Sequence, residues 1–123
     1  MTNLECGIDI VKVERITDEL AGRILGDKEI DLYNSFVNES RKREFAAGRF
    51  AAKEAFIKAS NMKELDFKKI QFINDSAGRP VPDESLEKMI DDSKISVSIS
   101  HEHDYAVAVV VILKGEFGNG QYS

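Results

Sequence analysis

Residues 40–60 read SRKREFAAGRFAAKEAFIKAS, and this stretch decides the fold. Phe45, Phe50, Ala52, Phe56 and Ile57 recur at helical spacing. Ala46, Ala47, Ala51, Ala55 and Ala59 lose no side-chain entropy in a helix, so they favour one. Ser40 is the expected cap, with Arg43 and Glu44 in the first turn. One long helix is predicted over 40–60, and the remaining elements are read around it.

Upstream, residues 4–13 are rich in β-branched side chains broken by Asp9, which predicts a strand. Ile16, Leu20, Ile24 and Leu25 share a helical face from Glu14 onward, and Asp27 is a plausible cap for a helix carrying Ile30, Tyr33 and Phe36. Downstream, 68–74 reads as a strand and Gly78-Arg79-Pro80 as part of a turn. A short helix is predicted over 83–91. Residues 95–100 and 105–113 form β-rich runs around the polar His101-Glu102-His103-Asp104, a hairpin pattern. Helices and strands without strict βαβ alternation predict an α+β fold, a small antiparallel sheet packed against the long helix. Residues 1–114 are expected to be a single domain and 115–123 a flexible tail.

The 123 residues contain 42% hydrophobic side chains, enough for a core without disulfides, and the lone Cys6 cannot form one within the chain. Seventeen Lys and Arg stand against 22 Asp and Glu, a net charge of −5 that argues against a general nucleic-acid binder. The longest apolar run, Tyr105 to Leu113, is about half of what a membrane helix needs. With no signal-peptide pattern at the start, a cytoplasmic protein with no membrane and no nucleic-acid partner is expected.

Four features could carry chemistry. Asp9 interrupts an apolar strand, where a carboxylate is costly to bury unless paired or bound to a metal; alternation could also place it in solvent. Glu54 and Lys58 stand one helical turn apart, as in any surface ion pair, but among Ala and Phe rather than other charges. His101 and His103 could share a face, although zinc wants three or four ligands. Arg41-Lys42-Arg43, Arg49, Lys53 and Lys58 read either as a solvated helix face or as a groove for a multiply phosphorylated ligand. No glycine-rich phosphate loop is present, so side chains and a metal would have to hold phosphate. Two carboxylates suit Mg²⁺, which binds through one or two of them plus substrate phosphates. These features combine into one hypothesis, a Mg²⁺-dependent site for a pyrophosphate-bearing substrate.

Three blocks extend this reading. Gly7-Ile8-Asp9-Ile10, then 45–59 with Phe50, Lys53, Glu54 and Lys58, then Ser98-Ile99-Ser100-His101, resemble the signature blocks of the holo-[acyl-carrier-protein] synthase family, the short AcpS-type branch of the 4′-phosphopantetheinyl transferases. The resemblance implies the 4′-phosphopantetheinyl transferase fold. It also implies transfer of the phosphopantetheine arm of coenzyme A to a serine of apo acyl carrier protein, releasing adenosine 3′,5′-bisphosphate. By the family pattern Asp9 and Glu54 would hold Mg²⁺, and Lys58 would face the phosphates or assist proton transfer. His101 would contact coenzyme A phosphates, while Arg49 and Pro80 in its turn would frame the nucleotide. Arg15 and Arg23 are the candidates for docking the acidic carrier. A homotrimer with active sites at subunit interfaces is implied as well. The competing reading is a non-catalytic coenzyme A- or nucleotide-binding oligomer.

Overall fold

A computed structural model describes residues 3–90 and 93–115; the expected tail, apart from Gly115, lies outside the described residues. Strand β1 (Asn3–Lys12) is followed by a 3₁₀ turn (Val13–Arg15) and helices α1 (Asp18–Ile24), α2 (Asp27–Ser35) and α3 (Glu39–Ser60). A second 3₁₀ turn (Phe67–Lys69), β2 (Phe72–Asn74), β3 (Pro80–Pro82) and α4 (Glu84–Met89) lead to β4 (Ser93–His101) and β5 (Tyr105–Lys114). The fold is α+β, as expected.

The long helix is present but starts earlier than Ser40. Asn38 caps it by accepting from the Arg41 N–H at 3.1 Å, because the preceding chain is still extended there. Asn61, in the left-handed region at φ 60°, ends it. Two other starts also shift. Thr17, not Glu14, begins α1, accepting from the Leu20 N–H. Gly26 precedes α2, and its N–H donates to the Glu29 carboxylate, leaving Asp27 as the first helical residue. The strand expected over 68–74 shrinks to β2, because Asp66 caps the second 3₁₀ turn by accepting from the Lys68 N–H and that turn runs up to Ile70.

β5 lies between β1 and β4, antiparallel to both. Ala106, Ala108, Val110 and Ile112 of β5 are buried beneath α3. Small residues let the layers approach closely. A Cβ on Gly7 would fall 2.0 Å from the Ala55 carbonyl oxygen, so the backbones of β1 and α3 lie in contact there. From Phe45 to Phe56 every residue of α3 is buried except Glu54, since the sheet packs on one side of the helix and α2, the two 3₁₀ turns and β2 pack on it as well. Each large apolar side chain sealed in this core, such as Phe56, Phe72 or Leu86, contributes roughly 1.5–3 kcal/mol.

Among the described residues nothing covers the opposite face of the sheet. Leu4, Ile8 and Ile10 on β1 are 63%, 57% and 62% exposed, and Tyr105 is 44% exposed. Val107, Val109 and Val111 of β5, register partners of Ile10, Ile8 and Cys6, continue the same apolar surface.

Candidate active site

Strand alternation turns Gly7, Asp9 and Val11 toward α3 and leaves Ile8 and Ile10 outside. Asp9 is therefore not on a solvent face: its side chain is only 22% exposed. Lys58 reaches across to β1, donating to the Ile8 carbonyl at 2.9 Å and to Asp9 Oδ1 at 3.2 Å. The pairing suggested by the i, i+4 spacing thus gives way to one between helix and strand. Glu54 sits one turn before Lys58. Burial first, and the Asp9 carboxylate second, push its carboxyl up, while Lys58 and Arg15 hold it down. Arg15 is placed by the first 3₁₀ turn, its guanidinium 5.8 Å from the centre of the Phe50 ring. Four charges, two of each sign, thus meet at the edge of β1.

A second cluster stands at the other edge of the sheet. His101 ends β4, and its Nδ1 lies 3.0 Å from Glu44 Oε1 on α3. Arg49 is buried, its guanidinium 4.4 Å from the Phe45 ring centre. It donates to the Phe72 carbonyl at 2.9 Å and to Asn74 Oδ1. Burial lowers its pKa to about 10, which leaves it a cation at neutral pH. His101, Arg41 and Arg49 line one small cavity. Pro80 lines a neighbouring groove between β3 and β4, framed by Arg79 and by Ile95 to Ile99. Gly78, at φ 85°, makes the turn that brings Arg79 back onto Asp75. β5 separates β1 from β4, and Asp9 and Lys58 line one pocket while His101 and Arg49 line a second and Pro80 a third.

The remaining candidates divide. Arg23 is exposed on α1 and belongs to neither cluster. His103 pairs with Asp104 rather than with His101, so the two histidines do not assemble into a ligand set. Lys53 corrects the reading of a continuous basic helix face. It is fully buried, and its ammonium is bound to Glu29 and to the carbonyls of Phe67 and Ile70. Glu29 and Glu44 were not legible as functional or structural partners. Each meets a residue at least 24 positions away, and no local pattern announces that.

Among the described residues no group of three or more His, Cys, Asp or Glu could cage a metal. The pair Asp9 and Glu54 nevertheless fits Mg²⁺, which keeps waters and takes one or two carboxylates.

The superfamily model for 4′-phosphopantetheinyl transferases matches residues 5–110. The chain belongs to that superfamily. Its similarity to the AcpS-type phosphopantetheinyl transferases runs through both sequence and fold. A holo-[acyl-carrier-protein] synthase of Petrotoga mobilis is 40% identical over 84 residues, spanning 68% of this chain and 70% of the relative. The crystal structure of a holo-(acyl-carrier-protein) synthase from Bacillus anthracis with coenzyme A (3′,5′-ADP) superposes with a TM-score of 0.78 at 37% identity, covering 90% of this chain and 96% of that one. The Helicobacter pylori holo-[acyl-carrier-protein] synthase, solved with coenzyme A, gives a TM-score of 0.70 at 33% identity over 87% of this chain and 98% of its own. No helix among the described residues of this transferase is long and apolar enough to cross a membrane.

Proposed function

We propose that this phosphopantetheinyl transferase moves the 4′-phosphopantetheine arm of coenzyme A to a serine of apo acyl carrier protein, with Mg²⁺, in the cytoplasm and in fatty acid biosynthesis. The observation that carries the reading is the gathering of Asp9, Lys58 and Arg15 around Glu54, the one residue of α3 between Phe45 and Phe56 that is not buried.

The carrier serine oxygen attacks the phosphorus bearing the pantetheine, and the bond to the nucleotide's phosphate oxygen breaks. The serine loses its proton, and adenosine 3′,5′-bisphosphate leaves. Such a displacement needs charge neutralisation and alignment more than covalent chemistry. Asp9 and Glu54 would hold Mg²⁺, which when bound supplies positive charge against the pyrophosphate. Lys58, already anchored on the Ile8 carbonyl and on Asp9, offers its remaining ammonium hydrogen to a phosphate oxygen. His101 contacts a phosphate of coenzyme A, Arg49 supports that end of the site from behind, and Pro80 borders the nucleotide groove. Arg15 and Arg23 meet the acidic carrier, where local basic charge works against the net charge of −5.

The two clusters lie at opposite edges of the sheet, and the face between those edges exposes Leu4, Ile8 and Ile10. A homotrimer that buries this face would bring the Asp9 edge of one subunit to the His101 edge of the next. Both observations favour it over a monomer.

The decisive measurement is the intact mass of apo acyl carrier protein after incubation with enzyme, coenzyme A and Mg²⁺. A gain of one phosphopantetheine is expected; no gain with several apo carriers would sink the reading. Glu54→Gln should abolish turnover while leaving the unfolding transition in place, and full activity in that variant would refute the metal assignment. Light scattering should give a trimer, and Ile8→Glu should dissociate it with loss of activity. An active monomer would overturn the shared site.

A further inference from the structure

Glu44 has no part in the reading above, yet it is the best-placed partner of His101. Its side chain is 15% exposed against 38% for the imidazole, so the contact is sheltered on the carboxylate side and open on the histidine side. The two residues are 57 positions apart, and nothing local to either brings them together. Gly48 lies close by. A Cβ there would lie 2.8 Å from Ile99 Cγ2, so a larger residue would have to displace the Ile99 side chain where the end of β4 packs on α3. Gly48 stands one helical turn beyond Glu44, and Ile99 stands two residues before His101 on the same strand face. The packing of Ile99 on Gly48 thus lies one turn along α3 from the point where the Glu44 carboxylate meets Nδ1.

The surroundings favour an anion beside the imidazole. Arg41 lies over the Phe36 ring at 5.5 Å and Arg49 over the Phe45 ring at 4.4 Å, which holds both guanidinium groups at the wall of the cavity that His101 enters. A carboxylate in such a basic pocket would ordinarily compete with the ligand. Here Glu44 is occupied by the ring nitrogen instead.

We propose that Glu44 is the positioning residue for His101: it accepts a hydrogen bond from Nδ1–H, fixes the ring's orientation and leaves Nε2, as an N–H of the protonated ring, to donate to a phosphate group of coenzyme A. A carboxylate bound to one imidazole nitrogen sets the tautomer and the role of the other. The proposal rests on the reading of His101 as a coenzyme A phosphate contact. It adds the group that makes the contact directional.

The test is steady-state kinetics with coenzyme A as the varied substrate, for Glu44→Gln, His101→Ala and the double variant. His101→Ala should raise KM for coenzyme A by roughly tenfold, the scale of one charge-assisted hydrogen bond. Glu44→Gln should raise the same KM about 3- to 10-fold, with kcat within twofold and an unchanged unfolding midpoint. Added to His101→Ala, it should do nothing more, since a positioning residue has no effect once its target is gone. An effect of the same size in both backgrounds would mean that Glu44 acts independently, overturning the proposal. So would an unchanged KM in Glu44→Gln when His101→Ala raises it. If His101→Ala itself leaves KM unchanged, the underlying reading of His101 fails instead. Nitrogen-15 NMR of the imidazole gives a readout independent of turnover. At pH 8.5 the Nδ1–H tautomer should dominate in the parent and be lost in Glu44→Gln; an unaltered tautomer would again overturn the proposal.

Discussion

Lys53 and Lys58 lie five residues apart on the same helix and live in opposite conditions. The Lys53 ammonium is fully enclosed by Glu29 and by the carbonyls of Phe67 and Ile70, so each of its hydrogens has a fixed acceptor. Burial lowers its pKa, and Glu29 opposes that shift. Lys58 is 55% exposed and ties to β1 through the Ile8 carbonyl and Asp9, leaving it open to a ligand. The first lysine is consumed by the fold: it joins α2, α3 and the segment before β2, whose Phe72 N–H also donates to Glu29. The second is tied to only one strand and stays half in solvent. A charge becomes structural when the chain satisfies every hydrogen it carries, and functional when it leaves some of them unsatisfied at the rim.

The sharpest way to break this contrast is to remove each charge in turn. Lys53→Met should cost ~3–5 kcal/mol in urea unfolding, because Glu29 is left as an uncompensated buried charge. Lys58→Met should change stability by less than about 1 kcal/mol, as for other exposed pairs. Phosphopantetheine transfer by that variant should nevertheless fall at least ~100-fold, the scale of losing a donor to developing charge. Equal stability losses in the two variants would abolish the distinction.

The same division applies to two glycines. Gly7→Ala, in the sealed region, should destabilise by ~1–3 kcal/mol, since its Cβ would meet the Ala55 carbonyl and the backbones must separate. Gly22→Ala, on an α1 face with nothing within 4 Å, should be neutral or stabilising by up to ~1 kcal/mol. Thermal unfolding of the two variants checks the sign.

A small, pH-dependent effect lies where a sealed group touches an exposed one. Tyr33 is buried and donates its hydroxyl to Asp18; burial and that carboxylate push its pKa from 10.0 up to about 12. The unfolded chain therefore ionises this phenol first as pH rises. The stability it contributes is complete below pH 10 and is lost as pH rises toward 12. Tyr33→Phe should cost about 1 kcal/mol at neutral pH and remove that part of the alkaline decline. Denaturant midpoints at pH 9 and 11.5 would show it; parallel declines in parent and variant would refute the assignment.

Much of the architecture was legible because its signals are local. The alanine and phenylalanine spacing announced α3, and the run from Tyr105 announced β5. Asp9 stood out because one carboxylate among β-branched residues conflicts with its neighbours. Helix starts were displaced because Ser, Thr, Asn and Asp all cap well: Asn38 and Ser40 are equally plausible until the chain's entry direction is known. The burial of Lys53 was invisible for a different reason. A lysine in a helix rich in charged residues reads as a surface residue, and its partner Glu29 sits on another helix where it looks equally exposed.

The sequence alone determined the fold class and the long helix, and it marked Asp9, Glu54, Lys58 and His101 as candidates, because propensity, alternation and spacing are properties of neighbours along the chain. Only the tertiary structure decided which charges face each other. It sent Lys58 to Asp9, Lys53 to Glu29 and His101 to Glu44, and it set the Asp9 and His101 clusters at opposite edges of one sheet. Those choices follow from the order of strands and the roll of α3 over small residues. Both depend on contacts between distant segments that no local window contains.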